Sequence, residues 1–350
     1  MLAPVLEAYG LPPNQCEIVP IGTGLINATW KINATNAEYI LQKINTAIFK
    51  NPAAIAANIN AAGEYLHKNF ADYLFIQPLN TLDNNNLYLQ SPTTYYRLFP
   101  FVQQSQTFST AASPSIAFEA ARQFGTFAKL LSQFPMAQLQ ITLPDFHNLS
   151  LRYKQFENAL AHGNEERFEK AGDAIFYLKK HQWIVAKYEQ LLLEPDFTIR
   201  PTHHDTKISN VLFDEKNNGL CVIDLDTLMP GYFISDVGDM MRTYLPAVSE
   251  EEADFTKIAA RTDYFEAIVK GYLVEMKGEL SQLEIDNFVF SGLMMTYMQA
   301  LRFLTDYLQN DRYYGSQYPG QNLIRAGNQI ALLESILKEE ANFAAIVAQF

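Results

Sequence analysis

THHDTKISNVLFDEKNNGLCVIDLDTLMPG, residues 202–231, is the stretch whose reading decides the fold. It opens on His203-x-Asp205, carries Lys207 two residues on and places Asn210 five residues after the aspartate. An apolar run at 211–213 leads into a polar turn at 214–219, and a second apolar run at 220–223 ends on Asp224, with Asp226 two residues later. Two apolar runs around a turn rich in Asn, Lys and Gly predict a loop feeding a short β-hairpin. The hairpin brings a second pair of carboxylates back beside Asp205 and Asn210. That grouping has a physical task in phosphoryl transfer. One aspartate orients the attacking hydroxyl and accepts its proton, while an asparagine and a later aspartate hold Mg²⁺ on the phosphate oxygens. Asp205 is thus the candidate catalytic carboxylate, and Asn210 and Asp224 are the candidate metal ligands.

Plainer readings compete with this one. His-x-Asp also opens an iron-binding facial triad, which needs a further histidine. The six histidines are at 67, 147, 162, 181, 203 and 204, so none lies downstream of the loop to complete it. His203 reads as structural, packing the loop against the Asp224 turn. Asp214 and Asp226 also fit as turn acids.

A length of 350 residues suits two domains or one large two-lobed body, and 48% hydrophobic residues suffice for a sizeable core. The net charge is −12 with no basic cluster, which argues against a nucleic-acid partner. Cys16 and Cys221 stand far apart and in no C-x-x-C spacing, so neither a disulfide framework nor a zinc site is expected and a reducing compartment fits. The first residues lack a basic region followed by an apolar core, and no run is long enough to span a membrane. The expected location is cytoplasmic, with no membrane partner.

Upstream, Gly22-x-Gly24 stands between β-type segments. A dinucleotide fold would need a helix after these glycines; strand-like residues 28–32 follow instead. Gly22, Thr23 and Gly24 are therefore expected to form a backbone flap over phosphates between two strands. Asn51-Pro52 starts a helix expected to pack behind the preceding sheet. Strand-like pieces follow at 73–76, 87–90 and 95–102. Pro100 removes a backbone donor, so the last strand must leave the sheet there. The hinge between lobes is placed at 99–103, with Pro100 and Val102 offering backbone to an adenine ring. From 113 onward the chain reads as helical, at 113–134, 149–161, 165–193, 250–276, 281–309 and 321–347, interrupted by the hairpin and by DVGDMMR at 236–242. The lobes are expected at 1–101 and 102–350.

This order of small lobe, hinge, H-x-D-x-x-x-x-N and I-D-x-D resembles the aminoglycoside phosphotransferase and choline kinase superfamily. YILQKINTAIF (39–49), THHDTKISN (202–210), IDLDTLMPG (223–231), DVGDMMR (236–242) and RFLTDYLQND (302–311) are similar, in order, to the bacterial N-acetylhexosamine 1-kinases. The resemblance spans about residues 16–340. It implies an α+β, protein-kinase-like fold: a small antiparallel-sheet lobe with one main helix, and a larger, mainly helical lobe. It further implies ATP- and Mg²⁺-dependent phosphorylation of the anomeric hydroxyl of N-acetylglucosamine or N-acetylgalactosamine. Asp205 then touches the sugar, with Arg302, Tyr313 and Asp226 beside it, and Lys207 assists the transferring phosphoryl. The family position near the sugar that often holds histidine is Leu25. Gln42 replaces the kinase strand lysine and counts as a nucleotide-binding residue, with Asn60 as the helix partner that could orient it. Lys43 points to the other face. Two alternatives stand beside this reading: a kinase of another small alcohol or aminoglycoside, and an inert nucleotide-binding pseudokinase.

Overall fold

A computed structural model describes residues 2–21 and 27–350. After α1 (Ala3–Ala8) come β1 (Cys16–Pro20), β2 (Ala28–Ala34), β3 (Glu38–Lys43), α2 (Pro52–Asn69), β4 (Tyr88–Ser91) and β5 (Thr94–Pro100). The strands form one antiparallel sheet of order β1-β2-β3-β5-β4. Alternation gives each strand two faces. Ile32, Leu41, Tyr96 and Leu98 turn one way and bury against Val5 and Leu6 of α1. Thr29, Gln42 and Arg97 lie opposite one another across β2, β3 and β5 and share the other face.

The remainder is mainly helical. It comprises α3 (Pro114–Leu130), α4 (Leu149–His162), α5 (Glu165–Lys170), α6 (Gly172–Lys180) and α7 (Trp183–Leu191). Four short strands follow, β6 (Arg200–Thr202), β7 (Val211–Phe213), β8 (Gly219–Val222) and β9 (Met229–Gly231). The chain ends with α8 (Phe233–Tyr244), α9 (Thr262–Met276), α10 (Gln282–Asp286), α11 (Phe288–Leu308) and α12 (Gln321–Val347). The small sheet lobe and larger helical lobe expected from the sequence are the architecture observed. Among the described residues no helix is long and apolar enough to cross a membrane.

Several local expectations are corrected. α2 starts where Asn51 caps the Ala54 N–H at 3.1 Å, with Pro52 at the first position. Yet it does not pack behind the sheet. Its Ile55, Ile59 and Leu66 join the helical core, and Asn58 Nδ2 donates to Leu228 O and to Gln140 O at 2.8 Å each. Residues 73–76 form no strand; Phe75 instead stacks on Phe127 of α3 at 6.3 Å. The helix expected over 165–193 breaks at Ala171–Gly172, glycine being a poor helix former, and again at 181–182. Residues 250–261 are mostly irregular because Asp254 bonds its own backbone two residues on (Thr256 N, 3.2 Å), a turn that competes with helix. DVGDMMR is no interruption: it lies inside α8.

α11 is buried along almost its whole length and organises the helical lobe. α8 can cross it closely because Gly238 has no side chain: a Cβ there would collide with Ser291 O and come within 2.8 Å of Met295 Cβ. Gly238→Ala should therefore lower unfolding free energy by roughly 1–3 kcal/mol, as overpacking of a core does. Urea denaturation measures this, and an unchanged midpoint would mean that the crossing has slack.

Candidate active site

Two short ribbons clip the signature stretch together. β6 pairs with β9 and β7 with β8, so residues 203–210 and 223–228 become neighbours. Ile223 N donates to Asn210 O at 2.9 Å, and Thr227 Oγ1 donates to His203 O at 2.6 Å. His203 Nδ1 accepts the Asp205 N–H at 3.3 Å, which leaves Nε2–H to donate to Ile223 O at 3.0 Å. Edge-on contact with Phe124 (ring centroids 5.1 Å apart) completes its packing. His203 thus braces the loop against the Asp224 turn.

Asp205 Oδ2 receives Lys207 Nζ at 2.7 Å and Asn210 Nδ2 at 3.0 Å, which leaves Oδ1 for an incoming group. Burial is the largest influence and pushes this carboxyl up, but the charge and hydrogen bond of Lys207, with His203 and the Asn210 amide, together outweigh it and hold it below its ordinary value. It is ionised at neutral pH. Burial works against the Lys207 charge, but Asp205 and then Asp224 reverse that and raise its pKa; Asp224 Oδ2 lies 4.0 Å from Nζ.

Asp224 is different. It occupies a left-handed backbone conformation (φ 63°), and burial, followed by repulsion from Asp226, pushes its carboxyl up to about 7, only partly offset by Lys207. A divalent cation would supply the missing charge. Asn210 has turned its amide hydrogens toward Asp205, so its carbonyl oxygen is the atom left for a cation. Among the described residues no three His, Cys, Asp or Glu side chains are placed so as to hold a metal ion by themselves. That suits Mg²⁺, which takes hard oxygen donors, one or two carboxylates, and completes its shell with water and phosphate.

Sequence reasoning missed what holds this loop. Asp236 accepts the backbone N–H of His203 at 3.1 Å and of His204 at 2.7 Å. Asp239 accepts Thr206 N at 2.9 Å on one oxygen and the Arg242 Nε and Nη2 fork, at 3.0 and 2.9 Å, on the other. The signal was the spacing Asp236-x-x-Asp239-x-x-Arg242, which puts three charges on one side of a helix.

On the sheet side, Gly22, Thr23, Gly24 and Leu25 lie outside the described residues. Gln42 faces the cleft and Lys43 is exposed on the other side. Gln42 is not oriented by Asn60. Its Oε1 accepts Arg97 Nε at 3.0 Å and Nη2 at 2.8 Å, and its Nε2 reaches Thr29 Oγ1 at 3.4 Å. Arg97 then pairs with Asp226, each partner only 2% exposed. Asn27 Nδ2 also donates to Asp226, at 2.8 Å. Both carboxylate oxygens of Asp226 therefore meet the sheet lobe, not an open acceptor space. Where the hinge is expected, β5 ends on Pro100, Phe101 N donates to Glu38 O at 3.0 Å, and Val102 O accepts Ser105 Oγ at 2.6 Å.

Arg302, on α11, donates to Gln299 Oε1 at 3.2 Å and to Tyr313 OH at 3.4 Å. Its guanidinium also stands 5.7 Å from the ring of Phe146, which stacks at 4.4 Å on His147; that ring is 5.4 Å from His204, the residue before Asp205. Tyr313 is 69% exposed. Among the described residues no carboxylate pairs with Arg302.

A family model for a phosphotransferase enzyme family matches residues 17–268. The chain belongs to that family. Solved structures carry the same fold over nearly the whole length. A microcompartment-associated aminopropanol kinase is 13% identical, with 98% of this chain and 97% of that one covered and a TM-score of 0.69. A spectinomycin phosphotransferase solved with ADP and spectinomycin is 12% identical (96% and 98% covered, TM-score 0.61). A choline kinase from Cryptosporidium parvum Iowa II is 13% identical (97% and 96% covered, TM-score 0.60). The chain is a phosphotransferase with a protein-kinase-like fold.

The buried histidines give a measurable signature. Burial lowers the pKa of both His203 and His204, the latter to about 4. His204 Nδ1 faces Thr202 O and Thr227 O at 3.0 and 3.1 Å, so its hydrogen is on Nδ1, whereas that of His203 is on Nε2. A base depressed by folding contributes stability that is present above its unfolded pKa of about 6.5 and lost as pH falls toward the folded value. ¹⁵N NMR should show both rings neutral at pH 6 in these opposite tautomers. Titration of His204 near 6.5 would mean that its ring is not buried as described.

Proposed function

We propose that this phosphotransferase moves the γ-phosphoryl of ATP, with Mg²⁺, onto the anomeric hydroxyl of an N-acetylhexosamine, N-acetylglucosamine or N-acetylgalactosamine, giving the sugar 1-phosphate. The observation that carries the choice of acceptor is the uncompensated charge of Arg302. Choline, aminopropanol and aminoglycosides are cations, and a cation approaching Arg302 meets repulsion that no neighbouring carboxylate relieves. A neutral sugar instead offers hydroxyl and N-acetyl carbonyl oxygens to the guanidinium fork. Tyr313, bonded to that fork and exposed, adds a ring and a hydroxyl to the same wall.

In this reading Asp205 Oδ1 accepts a hydrogen bond from the anomeric hydroxyl and takes its proton as the new O–P bond forms. The bond from the γ-phosphorus to the β-phosphate oxygen breaks, and ADP leaves. Lys207, protonated beside Asp205, faces the transferring group with a positive charge. Asn210 and Asp224 would hold Mg²⁺, which would supply positive charge against the phosphates. The protein's contribution is mainly positioning and electrostatics, as suits a loose transition state.

Asp205→Asn should leave the loop bonded but cut kcat by about 10²–10⁴. Wild-type turnover in this variant would sink the catalytic assignment. A kinase assay over N-acetylhexosamines, free hexoses, choline, aminopropanol and spectinomycin, with phosphorus NMR of the product, tests the acceptor. A sugar 1-phosphate is expected; a 6-phosphate, or turnover of the amines alone, defeats the sugar reading while leaving the phosphotransferase intact. Arg302→Ala should raise KM for the sugar by about tenfold or more, the loss of a charged hydrogen bond, with KM for ATP little changed.

A further inference from the structure

A buried arginine in the middle of an apolar strand needs an explanation, since such a charge is rarely fully buried unless paired. Arg97 is 2% exposed, and all its engaged nitrogens have defined roles. Nε and Nη2 converge on the neutral carbonyl of Gln42, and Nη1 faces Asp226. Gln42 thus aims the fork without cancelling its charge. Asp226 belongs to the single 3₁₀ turn Leu225–Thr227, which begins immediately after Asp224. Its second oxygen receives Asn27, whose own Oδ1 accepts Asn45 N at 3.0 Å. Two separate parts of the sheet lobe therefore grip the turn that carries the Asp224 carboxylate.

Two roles are open to such a cation. It could bind phosphate directly, in the manner of a strand lysine, or it could act through Asp226. Direct binding would need Arg97 to abandon Asp226, leaving a carboxylate buried without its partner, a change that typically costs several kcal/mol. It would also need an exposed face, which Arg97 lacks. We propose that Arg97 is a positioning residue: through Asp226 it fixes the turn bearing Asp224, so that docking of the sheet lobe and formation of a competent Mg²⁺ site are one event. Removing the pair frees the turn to reorient. The Asp224 carboxylate and the Asn210 carbonyl then no longer converge, although the nucleotide's own contacts are untouched. This inference rests on the Mg²⁺-dependent phosphotransferase reading above.

The test is nucleotide binding by calorimetry on the full chain, which needs no knowledge of the acceptor. If the wild type fails to bind ADP with Mg²⁺, the functional reading falls and this inference falls with it, whatever the variants do. Given binding, Arg97→Met with Asp226→Asn removes both charges together and leaves no buried ion unpaired. In this double variant the Mg²⁺ concentration for half-saturation at fixed ADP should rise about tenfold or more, the usual effect of losing a group that orients a metal ligand. ADP affinity in EDTA should stay within about twofold. Arg97→Lys keeps the charge but loses the fork, and should raise the same half-saturation by about threefold or more should the double variant fail to fold. An unchanged Mg²⁺ half-saturation in a folded variant overturns the proposal. So does a loss of ADP affinity in EDTA that equals the loss with Mg²⁺, which would make Arg97 a phosphate ligand.

Discussion

Two consecutive backbone N–H groups, of His203 and His204, end on one buried carboxylate, Asp236. The catalytic loop depends on that contact. His204 stands at φ 67°, a conformation unfavourable for a residue with a side chain, and the bend sends its ring one way and Asp205 the other. Without an anion below, the bend would leave two buried donors unsatisfied, at about 1–3 kcal/mol each. Burial pushes the Asp236 carboxyl up to about 7, while the same two N–H groups pull it down. α8 extends the hold: Thr206 Oγ1 donates to Asp236 O at 2.7 Å, and Tyr244 OH to Thr206 O at 2.6 Å. The loop's position is in this way set by a helix, and the helix's position by the glycine contact with α11.

Five aspartates, at 205, 224, 226, 236 and 239, crowd this region, yet their surroundings differ. Asp205 has Lys207, Asp226 has Arg97, and Asp239 has Arg242. Asp236 has backbone dipoles. Asp224 alone is left with a lysine at 4.0 Å that belongs first to Asp205. The charge deficit of the cluster therefore falls on Asp224. That is the electrostatic ground for proposing a metal there, held by one carboxylate and one amide carbonyl.

The parts legible in the sequence were those that short spacing controls. Asp205, Asn210 and Asp224 lie within twenty residues, and a hairpin with the right alternation can only bring them together. The caps Asn51 and Ser113 likewise announced their helices. Gln42, Arg97 and Asp226 come from three distant segments, so nothing local revealed their meeting. The clue present was an arginine inside the apolar strand YYRLFP, where period two places it on the same face as Gln42. The expected pattern, a cation on the third strand with a partner on the next helix, is replaced here by a cation on the strand beside it. α2 was misplaced for a related reason: an apolar face says that a helix packs, but not on which neighbour, and the bonds of Asn58 decided for the helical lobe.

The same contest between local pattern and distant partners shapes the surroundings of Arg302. Asp306 stands four residues after Arg302 on α11, the spacing at which a helical acid and base usually pair. It does not pair with Arg302. Its oxygens accept Tyr313 N at 2.7 Å, Tyr314 N at 2.9 Å and Asn322 Nδ2 at 3.1 Å. The acid that could have neutralised Arg302 is thus used to build the corner that presents Tyr313. One choice of hydrogen bonds produces both features, an exposed tyrosine and a guanidinium that pairs with no carboxylate among the described residues. In a chain with 38 acidic and 26 basic residues, such an arginine stands against the overall balance. It keeps no carboxylate partner among the described residues because the fold has already committed Asp306, the acid one helical turn away, elsewhere.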